Sequence, residues 1–217
     1  MHQLKVYLNG DRDYIQGSQI LARSAVLVNN QYPGSCLISA GFSHTTKHNV
    51  MAIISPGNEI INHENTGREI GRAQFVCGQT NIPVSFYETG EQANKCDLLQ
   101  RVILKPEDNP QTTDNVARFL YSNVRCFEDF LDMIVQSAKM HHIRSTSDIY
   151  DVWFTGIRGC MIPVMTDDET TSGITDIEIV RSTNKQRQWQ TISKIEIRAE
   201  NGKNHNAAVS FAYKSIG

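Results

Sequence analysis

Two stretches of the chain place apolar residues at helical spacing, and much of the remainder alternates apolar with polar. In the later stretch Phe127, Phe130, Leu131, Ile134, Ala138 and His141 fall on one face of a helix. Glu128 and Asp129 sit in its first turn, where the helix dipole favours acid. His141 and His142 sit near its end, where the dipole favours positive charge. The earlier stretch runs through Ile20, Leu21, Ala25 and Val28. Gly17 and Ser18 interrupt its entry, and Tyr32-Pro33-Gly34 stops it. Strands are expected at Val6–Leu8, Leu37–Phe42, Val50–Ile54, Gly71–Cys77, Val84–Tyr87 and Leu98–Leu104. Others are expected at Phe119–Tyr121, Tyr150–Thr155, Ile174–Arg181, Trp189–Ala199 and Ala207–Lys214. The last two form a hairpin: Ile195, Ile197 and Ala199 alternate with charged residues, and Asn201-Gly202 supplies the turn.

The two helical stretches belong to a repeat. When Leu4–Ala25 is laid on Ala117–Ala138 without a gap, Arg12 meets Arg125, Ser24 meets Ser137, and Ala25 meets Ala138. Ile20, Leu21 and Ala22 then meet Met133, Ile134 and Val135. Each copy reads as a short strand, a helix and several strands. The expectation is an α+β chain of two tandem units, residues 1–105 and 106–217. The polar stretch Lys105–Asp114, with Pro106 and Pro110, reads as the linker.

A helix wrapped by a curved antiparallel sheet, present twice, resembles the hotdog fold, and the tandem resembles a double hotdog with its sheets joined edge to edge. Two segments carry the resemblance. Phe130-Leu131-Asp132-Met133-Ile134-Val135-Gln136 looks like the central helix of the β-hydroxyacyl thioester dehydratases, where an acid precedes a Gln by one helical turn. Gly10-Asp11 followed by Tyr14-Ile15-Gln16-Gly17-Ser18 is similar to the entry to that helix. The chain departs from the pattern in two places. No His occurs in Asp11–Ile15 or Val124–Glu128, where the family carries its catalytic imidazole, and Gln16 replaces a proline. The resemblance implies an enzyme acting on an acyl thioester of acyl carrier protein or coenzyme A, most directly a β-hydroxyacyl dehydratase. It also admits a hotdog thioesterase, which needs no His there, and a non-catalytic double hotdog that binds an acyl group or a partner. It implies a possible homodimer as well, since hotdog units pair.

The resemblance assigns Asp132 as acid–base group and Gln136 as its positioning partner. His44 or His48 would supply the missing imidazole from the other copy. Asp132 and Gln136 share a helix face, and a carboxyl beside apolar walls can take or give a proton. The plainer reading pairs Asp132 with Arg23 or has it cap nearby backbone. His44 and His48, in Phe42–His48, equally suit the solvated tip of a hairpin. Gly17, Gln19, Arg23 and Arg158 are candidate substrate contacts. Gln19 and Arg23 occupy the positions of Asp132 and Gln136 in the first copy. Arg158, between Gly156 and Gly159, suits a phosphate as well as an ordinary turn. Asp167, Asp168 and Glu169 read as a solvated acidic loop.

Composition narrows the classes. A net charge of -2 with no basic run argues against nucleic acid and anionic membrane partners. No apolar run suits a membrane span, and the N-terminal residues lack a signal-peptide pattern. The five cysteines are widely spaced and include no Cys-x-x-Cys, which points to a reduced, cytoplasmic setting. The histidines show no metal spacing, so no metal and no cofactor are expected. No nucleophile elbow, P-loop or dinucleotide fingerprint occurs.

Overall fold

A computed structural model describes the chain apart from residues 10–13, 58–66, 97–101, 108–115, 146–148, 160, 165–170, 186–187 and 216–217. In order, the elements are β1 (His2–Leu4), β2 (Leu8–Asn9), α1 (Gly17–Gln31), β3 (Cys36–Phe42), β4 (His48–Ile54), β5 (Glu69–Cys77), β6 (Thr80–Gln92) and β7 (Lys95–Cys96). They continue with β8 (Ile103–Glu107), β9 (Val116–Val124), α2 (Phe127–Ser145), β10 (Ile149–Arg158), β11 (Ile162–Pro163), β12 (Thr171–Lys185), β13 (Gln188–Ala199) and β14 (Asn204–Ser215). The contacts divide these into two compact units. One holds Met1–Leu99 with Met161–Val164, the other Gln100–Cys160 with Met165–Gly217.

In the second unit the strands run β10-β14-β13-β12-β9-β8, each antiparallel to its neighbour. The period of two sorts the side chains. Ala117, Phe119 and Tyr121 of β9 are buried, as are Thr175 and Ile177 of β12, Thr191, Ser193, Ile195 and Ile197 of β13, and Ala207, Val209, Phe211 and Tyr213 of β14. Arg118 and Asp176 alternate with them and form an ion pair across β9 and β12. Phe127, Phe130, Leu131, Ile134 and Ala138 of α2 are buried, as their spacing requires, and each large side chain so removed from water contributes roughly 1.5–3 kcal/mol. Asp129 fixes the start of α2: its Oδ2 accepts the Arg125 N–H at 3.1 Å, so a first-turn acid reaches back to cap the entry. The hairpin expected at Asn201-Gly202 joins β13 to β14, and Gly202 takes φ +80° there.

At Gly173 of β12 the ladder comes close to its neighbours. A Cβ there would overlap the Arg198 carbonyl oxygen and lie 2.8 Å from the Tyr121 hydroxyl. Gly173→Ala is therefore expected to cost roughly 1–3 kcal/mol. Urea unfolding of the variant checks this through a lower midpoint at unchanged slope.

In the first unit the order is β1-β4-β6-β5-β3, again antiparallel, with β11 paired to β3 and a short parallel pair of β2 with β7. Its buried sheet face holds Leu37, Ala40, Val50, Ala52, Ala73, Phe75, Ile82, Val84 and Phe86. On α1, Ile20, Leu21, Ala22, Ala25 and Val28 are buried.

Several expectations change. Val6–Leu8 is not one strand. The chain leaves the ladder after Leu4, and the Tyr7 N–H donates to the Gln19 side chain instead. Lys105–Glu107 is not linker but part of β8, which among the described residues pairs only with β9; Pro106 is tolerated on such an edge because a missing N–H breaks no ladder bond. His142 is not a charged helix end, because burial with His141 alongside lowers it to about 4. His141 and His142 are 2% and 1% exposed, and α2 continues past them to Ser145. Residues 98–101 of the expected Leu98–Leu104 strand, Gly10-Asp11, the rest of the linker, Cys160 and the acidic loop at Asp167–Glu169 lie outside the described residues.

Candidate functional site

α2 presents Asp132 and Gln136 on successive turns, both half-buried, with Met133, Ile134 and Val135 buried between them. The Gln136 Nε2 donates to Asp132 Oδ1 at 3.3 Å. The amide thus orients one carboxylate oxygen, and the packed helix fixes where the carboxylate stands. A proton-transfer group needs this placement more than it needs strength of contact.

The other candidates belong to different settings. Gly17 is the first residue of α1. Gln19, 6% exposed, accepts the Tyr7 N–H through Oε1 at 2.8 Å, so it ties the segment after β1 to the helix. Arg23 lies half-buried one turn on. Arg158 is exposed at the end of β10, and Gly159 follows at φ +65°.

His44 lies within residues 43–47, which connect β3 to β4, and His48 opens β4. This is not the hairpin tip that the sequence suggests, because β5 and β6 lie between those strands. The connection crosses the end of the sheet. Ser43 N–H donates to the Ile70 carbonyl at 2.9 Å, and the Ala93 N–H to that of Lys47 at 3.0 Å. His44 is exposed, with its Nδ1 2.9 Å from Ser43 Oγ. His48 is partly covered, and its Nδ1 lies 3.7 Å from Glu88 Oε2.

Two imidazole settings had no sequence signal. His142 packs edge-on against Phe211, with its Nε2 3.0 Å from Thr191 Oγ1 and 3.5 Å from Ser193 Oγ. Burial, with His141 alongside, lowers it to about 4, so it is neutral at physiological pH. His205 meets the ring of Phe130 edge-on at 5.6 Å, and burial together with Lys203 lowers it as well. Only the sheet register brings Thr191, Ser193, Phe211 and His205 against α2.

No protein-family model matches the chain, and no curated protein sequence matches it either. Solved structures do. A TesB protein of Mycobacterium avium subspecies paratuberculosis aligns with a TM-score of 0.57 at 8% identity, over 96% of this chain and 90% of that one. A protein of unknown function with a hot dog fold from Alicyclobacillus acidocaldarius aligns at 0.50 and 8% identity, over 99% and 92%. The chain has the hotdog fold.

The dehydratase domain of RzxB from Pseudomonas fluorescens also aligns, with a TM-score of 0.50 at 9% identity, over 96% of this chain and 87% of that one. At such identities the likeness is one of fold, and function has to be argued from side chains. α1 and α2 are the helices of this hotdog chain, and the carboxylate–carboxamide pair stands on α2. Among the described residues no helix is long and apolar enough to cross a membrane.

Proposed function

We propose that the chain is a tandem pair of hotdog units acting on an acyl thioester of coenzyme A or acyl carrier protein, and that the reaction is dehydration of a β-hydroxyacyl group. The observation that carries this reading is the Asp132–Gln136 hydrogen bond on α2, the helix of a hotdog unit. The fold itself is shared with a dehydratase domain. Asp132 is the acid that protonates the departing β-hydroxyl. Gln136 holds it, and an imidazole takes the α-proton.

The test is direct. The purified chain is incubated with a β-hydroxyacyl-coenzyme A and, separately, a saturated acyl-coenzyme A. The reading expects enoyl thioester from the first and no free thiol from either. Free thiol from both would make the chain a thioesterase. Neither product, with thermal stabilisation by the thioester, would make it a binding module.

A further inference from the structure

Four residues from the second half of the chain belong to the first unit. Met161–Val164 group with Met1–Leu99, whereas the stretches on either side, Gln100–Cys160 and Met165–Gly217, form the second unit. The repeat in the sequence assigns all of residues 106–217 to one copy, so this exchange is not legible there. β11 (Ile162–Pro163) runs antiparallel to β3, with Ile162 opposite Leu37 and Pro163 opposite Cys36. The Val164 N–H extends the pairing by donating to the Ser35 carbonyl at 2.9 Å. The segment alternates as a half-buried strand does. Ile162 and Val164 are 1% and 8% exposed, while Met161 is 62% exposed and Pro163 is exposed too. Leu37 lies opposite Phe75, and Phe75 opposite Ile82. Ile162 therefore adds a fourth side chain to one buried row that crosses β3, β5 and β6. Because Val164 donates toward β3, alternation turns the Pro163 nitrogen the other way. Its missing N–H costs β3 no bond and gives a further strand no donor. Among the described residues β11 pairs with β3 alone.

We propose that Met161–Val164 is a strap that completes the first hotdog unit: the start of β3 is a docking surface, and the partner it fits is this short apolar segment of the same chain. The two halves of the repeat are then not interchangeable modules. The core of the first unit is finished only by residues that lie beyond α2 in the sequence. The docking chemistry is that of strand addition, in which backbone pairing supplies the hold and alternate side chains supply the fit. Pairing at Ser35, Cys36 and Leu37 sets the register, and Ile162 and Val164 fill the apolar side. A one-residue slip would turn Ile162 and Val164 outward. It would also point the Pro163 nitrogen at β3, where a donor is needed, so the register is specified twice. This role is independent of any activity of Asp132.

The test is amide hydrogen exchange on the full chain, read separately for β3 and β5 of the first unit and for β13 and β14 of the second. In the wild type the Val164 amide is expected to exchange as slowly as the amides of β3. Ile162→Ala is expected to speed exchange in β3 and β5 by about thirtyfold or more, because a buried side chain is truncated there, with β13 and β14 changed by less than about twofold. Ile162→Val removes a single methylene and stays informative should the larger truncation fail to fold. It is expected to speed the same amides about threefold. Met161→Ala, at an exposed position of the same segment, is expected to change neither unit. A Val164 amide that exchanges freely in the wild type overturns the proposal without any variant. Unchanged exchange in β3 and β5 of both Ile162 variants shows that the first unit is complete without the strap. Equal acceleration in all four strands shows that Ile162 supports the whole chain rather than the first unit, and overturns the proposal as well.

Discussion

Asp132→Asn is expected to lower kcat for β-hydroxyacyl thioester dehydration by roughly a hundredfold or more, the usual scale of a general acid or base, while the protein stays folded. The two side chains have nearly the same shape, and an asparagine carbonyl can still accept the Gln136 Nε2–H that Asp132 Oδ1 accepts at 3.3 Å. What is lost is the transferable proton. Asp132 is half-buried on a helix whose stability comes from Phe127, Phe130, Leu131, Ile134 and Ala138 on the covered face, and the substitution touches none of them. Steady-state kinetics with circular dichroism on the same preparation separates the cases. A fall in kcat with unchanged ellipticity is the expected result. A fall in both would mean that Asp132 supports the fold rather than the chemistry.

The second large effect is on stability. His142 is neutral in the folded protein because burial and the neighbouring His141 lower it from 6.5 to about 4. As pH falls below about 6.5 the unfolded chain takes up a proton at this position, and the folded chain refuses it until about pH 4. The contribution of His142 is therefore intact above pH 6.5 and is lost progressively down to pH 4. Over that window the loss amounts to about 3 kcal/mol. His142→Gln carries no titrating group there and keeps an acceptor for the Thr191 hydroxyl. Urea unfolding at pH 7.5 and at pH 4.5 is expected to show a steeper loss for the wild type than for the variant. Equal losses in both proteins would show that His142 is accessible to protons in the folded state.

These two residues also show where the sequence is informative. The period of 3.6 places α2 and its covered face, and the one-turn spacing of Asp132 and Gln136 is legible in the sequence itself. His142 carries no such signal. Helical periodicity assigns His141 to the covered face and leaves its neighbour at the margin. Only the register of β13 against β14 sets Thr191, Ser193, Phe211 and Tyr213 around that ring. The turn at 43–47 fails for a different reason. Its local chemistry suits a hairpin, yet β5 and β6 lie between β3 and β4, and strand order is a property of long-range pairing. The same ladder brings Glu88 beside His48, two residues far apart in the chain. Val6–Leu8 has the composition of a strand, but the Tyr7 N–H is taken by the Gln19 side chain. Lys105–Glu107 has the composition of a linker and still pairs, because an edge strand keeps one side for solvent. The alternation of Ile195, Ile197 and Ala199 and the Asn201-Gly202 turn were legible, since local geometry decides them.

Acid–base chemistry by Asp132 on an acyl thioester can be read out in the hydration direction. An enoyl-coenzyme A is incubated with the protein in heavy water and the product is weighed by mass spectrometry after back-exchange of the hydroxyl. The wild type is expected to form a β-hydroxyacyl thioester carrying one solvent deuterium on Cα, and Asp132→Asn is not. Unchanged enoyl thioester, or the same labelled product from both proteins, would contradict that expectation.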